Sequence, residues 1–105
     1  MLVVNRFRVP EDDAAFREEL QAAHDVLASM PGFEDGRVGR NLDEPEIWVL
    51  VTRWRDVGSY RRALSSYDVK VGAVPLLSRA IDEPSAYELL VGETELNRSR
   101  PRSVG

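Results

Sequence analysis

Asn5, His24, Trp54 and Tyr60 are the side chains of this chain whose types and positions suit chemistry. Trp54 and Tyr60 offer ring faces for stacking, the Asn5 amide and the Tyr60 hydroxyl can donate hydrogen bonds to an anion, and His24 is the single imidazole able to act as a base near neutral pH. Each also has a structural reading. Asn5 can be a satisfied buried amide, Trp54 core or interface filler, and His24 a residue at the boundary of a helix stripe.

The elements that must position these groups are legible from periodicity. The run Ile47-Trp48-Val49-Leu50-Val51-Thr52-Arg53-Trp54 reads as a strand with Trp48, Leu50, Thr52 and Trp54 on one face. Its other face is also largely apolar, so the strand is expected to be central. Asp56 is placed to cap a following helix to about Ser65, which sets Tyr60 one turn in, so that strand end and helix frame a corner. Leu2 to Val9 predicts a first strand ended by Pro10, with Val3, Asn5, Phe7 and Val9 on its buried face. Asp12 and Asp13 open a helix whose stripe is Phe16, Leu20, Ala23, Leu27 and Met30, with His24 at its edge. Pro31-Gly32 stops it. Phe33 to Leu42 reads as a weaker strand forming a hairpin with Ile47 to Trp54. Tyr67 to Ile81 is read as helical, with Pro75 starting a fresh turn, and Tyr67 is a lid over the cleft or a helix-cap contact. Ser85 to Val91 reads as a last strand.

The order strand, helix, strand, strand, helix, strand predicts an α+β, ferredoxin-like βαββαβ fold: a four-stranded antiparallel sheet with helices on one face. The other face then needs a cover, and the sheet of a second copy supplies one, so a homodimer is expected. One domain, residues 1–91, is followed by an Arg-rich stretch, 92–105, expected to be disordered.

Composition excludes several classes. There is no cysteine among the 105 residues, hence no disulfide framework or thiolate metal site, and a reducing cytoplasmic setting is expected. No signal-peptide core precedes Arg6, and nowhere do about 18 consecutive apolar residues occur, so no membrane partner is expected. Net charge is −4, and residues 1–97 carry 11 basic against 18 acidic side chains, or −7, which argues against nucleic acid. A single histidine without cysteine makes a protein-only metal site unexpected. No serine sits in an elbow motif, and neither a dinucleotide loop nor a GxxxxGK sequence occurs, so no cofactor is expected. What remains is an aromatic-lined cleft, the usual form of a small-molecule site.

Val4-Asn5 in the first strand, Ser29-Met30-Pro31-Gly32-Phe33 after the first helix and Val51-Thr52-Arg53-Trp54 before the second resemble the antibiotic biosynthesis monooxygenase family over roughly residues 2 to 91. The resemblance implies a dimeric α+β barrel, with members that include cofactor-independent oxygenases converting polycyclic phenols to quinones and a branch that binds and degrades haem. In the quinone-forming branch a Trp closing the third strand and a Tyr six residues later line the pocket, and Trp54 and Tyr60 match both. An Asn four residues before that Trp is replaced by Leu50, and an Arg about twenty residues after it falls near Val74. The haem branch shares Asn5, but the axial His expected around Val71-Gly72 and the Trp expected near Ala63 are absent.

The resemblance thus implies a cofactor-independent monooxygenase that oxidises a phenol or hydroquinone to a quinone with O2. Asn5 or Tyr60 would stabilise the substrate oxyanion, Trp54 would stack on its ring and His24 would be the base. Two other readings stand beside it: a non-catalytic dimeric small-molecule-binding module of the same fold, and haem binding, which the missing His disfavours.

Overall fold

Ile47–Trp54 is the richest run of β-branched and aromatic residues in the chain, and it forms an inner strand of the sheet, paired on both sides. The structure is a computed structural model that describes residues 1–10 and 14–90. In chain order the elements are β1 (Leu2–Arg8), α1 (Ala14–Ala28), β2 (Phe33–Arg40), β3 (Ile47–Trp54), α2 (Val57–Ser65), α3 (Tyr67–Gly72), α4 (Val74–Leu77) and β4 (Ala86–Tyr87). The strands pair antiparallel in the order β2-β3-β1-β4. This is the expected ferredoxin-like arrangement.

Register decides which residues meet the helices. β1 and β3 set Val3 opposite Thr52, Asn5 opposite Leu50 and Phe7 opposite Trp48, so these six share one face. α1 lays Phe16, Leu20, Ala23 and Leu27 on that face, all buried as their spacing predicts, while Met30 is partly buried. Phe16 stands edge-on to both Phe7 and Trp48, at 5.4 and 5.7 Å between ring centres. Burying each large apolar side chain contributes roughly 1.5–3 kcal/mol, so this face holds the fold together.

The Pro31-Gly32 stop does more than end α1. Gly32 has φ 89°, a left-handed conformation, and a β-carbon there would collide with the Ser59 side chain of α2. The Arg55 N–H donates to the Gly32 carbonyl at 2.8 Å. The turn after α1 therefore fixes how closely the start of α2 approaches the sheet. Asp56 caps α2 as expected, one carboxylate oxygen accepting from the Ser59 N–H at 2.7 Å.

Differences from the sequence reading lie at the ends. β4 is two residues long rather than seven, because only Leu2 and Val3 offer it a partner edge, and Glu88, Leu89 and Leu90 are exposed. β1 and β2 stop at Arg8 and Arg40, short of Val9 and Leu42. Leu42 is 96% exposed in a turn where the Asn41 side-chain oxygen accepts from the N–H groups of Asp43 and Glu44. The segment from Tyr67 is two short helices rather than one, broken at Ala73, with Pro75 in the first turn of α4 as its residue type suggests. Asp12, Asp13, Val91 and the Arg-rich stretch lie outside the described residues. Among the described residues no helix is long and apolar enough to cross a membrane.

Candidate active site

β1, α2 and α4 leave a cavity of about 450 Å3 between them, lined by Asn5, Tyr60, Leu64, Val74, Leu77 and Ser78. Each lining residue has a local reason to be there. Asn5 follows Val3 on the helix-facing side of β1 by the strand period of two. Tyr60 and Leu64 stand four apart on α2, and Val74, Leu77 and the C-cap residue Ser78 follow one another at spacings of three and four from the start of α4.

Two of the polar groups are uncommitted. Neither the Asn5 amide nor the Tyr60 hydroxyl makes a side-chain hydrogen bond among the described residues, and both side chains are half-buried. Burial pushes the Tyr60 phenol above its ordinary value, so it stays protonated, and remains a donor, through neutral and mildly alkaline pH. The Ser78 hydroxyl donates to the Pro75 carbonyl at 2.8 Å, which leaves its lone pairs to accept from a ligand.

Of the four residues singled out from the sequence, the cavity brings together Asn5 and Tyr60. Trp54 stands directly behind Tyr60, 5.5 Å between ring centres, but is 0% exposed and does not line the cavity. Its indole N–H donates to the buried Thr52 hydroxyl at 2.9 Å. His24 lies further off. Its ring meets Phe33 edge-on at 5.9 Å, Phe33 meets Trp54 at 5.3 Å, and so two aromatic rings separate the imidazole from Tyr60. His24 Nδ1 pairs with Asp25 at 2.9 Å on the surface of α1, and its side chain is 18% exposed. Tyr67 is 78% exposed at the start of α3 and does not cover the cavity.

Leu64, Leu77 and Ser78 were not singled out from the sequence, and Val74 only as the place where the resemblance expects an Arg. Pro75 starts a fresh turn as its residue type suggests, but α4 is too short for its inward face to show as a period. Among the described residues no group of three or more His, Cys, Asp or Glu side chains could hold a metal ion.

The model of the antibiotic biosynthesis monooxygenase family matches residues 1–73. The chain belongs to that family, whose activity class is monooxygenase chemistry on small molecules with O2. Among solved structures, a conserved protein from Methanosarcina mazei is 28% identical, with a TM-score of 0.65 over 81% of this chain and 84% of that one. SnoaB, a cofactor-independent oxygenase from Streptomyces nogalater, is similar in two structures. A single-residue variant aligns at 26% identity and TM-score 0.67 over 90% of this chain and 94% of that one. The other structure, at 24% identity, TM-score 0.70 and coverage of 89% and 96%, speaks for the fold alone. No curated protein matches the chain.

Proposed function

We propose that this chain is a cofactor-independent monooxygenase that oxidises an aromatic phenol or hydroquinone to a quinone with O2 in the cavity of Asn5 and Tyr60. The observation that carries the reading is that two uncommitted hydrogen-bond donors face one apolar cavity large enough for a fused-ring phenol. SnoaB, similar to this chain over most of its length, is a cofactor-independent oxygenase, which supports the same chemistry here.

The substrate supplies the electrons. Ionised to its oxyanion, a phenol with a hydrogen-bearing para carbon transfers one electron to O2, and the two radicals combine at that carbon. The resulting peroxide loses water: one oxygen atom becomes the second quinone carbonyl and the other leaves as water, so phenol plus O2 equals quinone plus water; a hydroquinone, which already carries the second oxygen, gives two electrons and two protons to O2, which leaves as hydrogen peroxide. Asn5 and Tyr60 donate to the oxyanion, where fixed donors in a partly dry site act more strongly than water does. Asn5 lies directly opposite Leu50, the position where the resemblance expects an Asn, so β1 offers an amide where β3 lacks one. Trp54 acts from behind, holding the Tyr60 ring. With Phe33 and Trp54 intervening, His24 is not assigned as the base, and the phenolic proton passes to water at the cavity mouth.

The protein acts as a homodimer in this reading, each copy covering the apolar strip Leu2, Val4, Val49 and Val51 on the open face of the other's sheet. One observation favours a second reading, a binding module without turnover: Val74, where the resemblance expects an Arg, lines the cavity as a hydrocarbon wall. Oxygen consumption with metal-stripped protein and a panel of hydroquinones and hydroxylated polycyclic aromatics separates the two. Uptake that scales with protein and falls in Asn5→Ala supports the oxygenase. Tight binding of the same aromatics without uptake leaves the binding module.

A further inference from the structure

The site is longer than the cavity just described. Asn5, Leu77 and Ser78 also line a second hollow of about 290 Å3, on the far side of α4, whose other wall is the stretch leading into β4. The two hollows therefore adjoin at three shared residues beside the edge of β1. Their chemistry differs. The first is walled by Leu64 and Val74, the second by Asp82, Glu83 and Ser85.

Backbone groups add to that polarity. The stretch before β4 touches β1 at Ile81 N–H to the Arg6 carbonyl and at Val4 N–H to the Ser85 carbonyl, both 2.7 Å. Alternate residues of a strand turn their backbone groups to the same edge, so the carbonyl of Val4, which lines the hollow, points toward the gap between those contacts and takes no backbone partner among the described residues. The edge therefore presents an acceptor, which suits a group able to donate. Of the two carboxylates, Glu83 is held by Arg6 through paired contacts at 2.7 and 2.8 Å, while Asp82 has no ion pair among the described residues. The chamber is net negative.

We propose that this second chamber is a subsite for the distal end of an elongated aromatic substrate, an end that is hydrogen-bonding and neutral or cationic but not carboxylate. The inference rests on reading the first chamber as the seat of the reacting ring. It assigns specificity to Asp82 and to the β1 edge. A rod-shaped phenol would place its hydroxyl by Asn5 and Tyr60 and thread its far substituent past Ser78.

Calorimetric binding of three matched probes to the full chain at low salt tests this: 2-naphthol, 6-hydroxy-2-naphthamide and 6-hydroxy-2-naphthoate. The amide is expected to bind at least about tenfold tighter than 2-naphthol, and the carboxylate several-fold more weakly than the amide, since close like charges repel. Asp82→Lys is expected to strengthen the carboxylate several-fold while leaving 2-naphthol unchanged. Equal affinities for all three probes, no binding by any of them, or a carboxylate affinity indifferent to Asp82→Lys would overturn the proposal. Binding needs no turnover, so the two readings fail separately. The expected ranking with no oxygen uptake from the hydroquinone and polycyclic phenol panel removes the oxygenase and keeps the subsite, whereas uptake from that panel with tail-blind affinity does the reverse.

Discussion

Asn5 and Tyr60 present donors to the cavity that nothing in the described protein uses, and truncating them should therefore separate activity from stability. Asn5→Ala is expected to lower turnover by about 10²-fold, the usual cost of losing one oxyanion donor, while the melting temperature stays within a few degrees. Oxygen uptake and thermal melts on the same preparation check it, and an Asn5→Ala protein with full turnover would remove the assignment. For Tyr60, burial raises the phenol's pKa, so its protonated donor form persists above pH 10. The pH profile of turnover should accordingly rise with ionisation of the substrate phenol and show no descending limb below pH 10. Trp54 behaves oppositely. Fully buried and bonded to Thr52, it is expected to cost about 1–3 kcal/mol of stability as Trp54→Phe, read by urea denaturation, because the smaller ring leaves a void and the Thr52 hydroxyl loses its donor. The residue types of the site were legible in the sequence, since Trp54, Tyr60 and Asn5 sit at spacings that strands and caps impose. Their depth was not. Whether an aromatic at a strand end faces a cavity or the core depends on Phe33 and Tyr60 packing against it, and those contacts are set by the tertiary fold.

The turn Pro31-Gly32 and the cap Asp56 together hold α2, and hence Tyr60, against the end of β3. Gly32→Ala is expected to destabilise by at least about 1–2 kcal/mol, the cost of a left-handed backbone for a residue with a β-carbon, and by more if Ser59 has to retreat. Because any retreat of Ser59 carries Tyr60 with it, the same variant should weaken binding of aromatic ligands. The Asp56 carboxyl is held down to about 2, first by the Ser59 N–H, then by the Ser59 hydroxyl and Arg55. A carboxylate depressed in the folded state adds stability that is fully present above its unfolded value near 4 and is lost as pH falls toward 2. Wild type should therefore melt above Asp56→Ala at neutral pH, with a gap that narrows between about pH 4 and pH 2; a gap constant across that range would count against the cap. At this scale the long elements were readable because α1 and β3 repeat their apolar positions over several turns or pleats. β4 was overread, since Leu89 and Leu90 look strand-like yet have no partner edge. The fresh turn at Pro75 was legible from its residue type, but α3 and α4 are each too short to show a period, so which of their residues face the cavity was not.

Among the described residues the sheet has one face under helices and one without a cover, and the distribution of side chains on the open face bears on what it meets. Leu2, Val4, Val49 and Val51 run across β1 and β3 there, as their register requires, and are half-buried. Around them stand the ion pairs Arg6–Glu83, Arg8–Glu46, Arg37–Asp35 and Arg53–Glu34, between 2.7 and 3.4 Å. An apolar strip inside a charged rim is the anatomy of an interface, because exposed ion pairs add little to stability by themselves whereas a covered strip gains from leaving water. The strip is expected to pair with its copy, as the proposed dimer requires, burying about 800 Å2 on each side if it reaches the usual size. Val51→Glu places a carboxylate at its centre, directly across from Val4. Sedimentation at micromolar concentration should then show a dimer for the natural chain and a monomer for Val51→Glu, with the circular dichroism of the two superimposable. A natural chain that sediments as a monomer removes the dimer. A variant that stays dimeric moves the interface off this face, and the Asn5 cavity, which lies on the helix side of β1, should bind 2-naphthol equally well in either state.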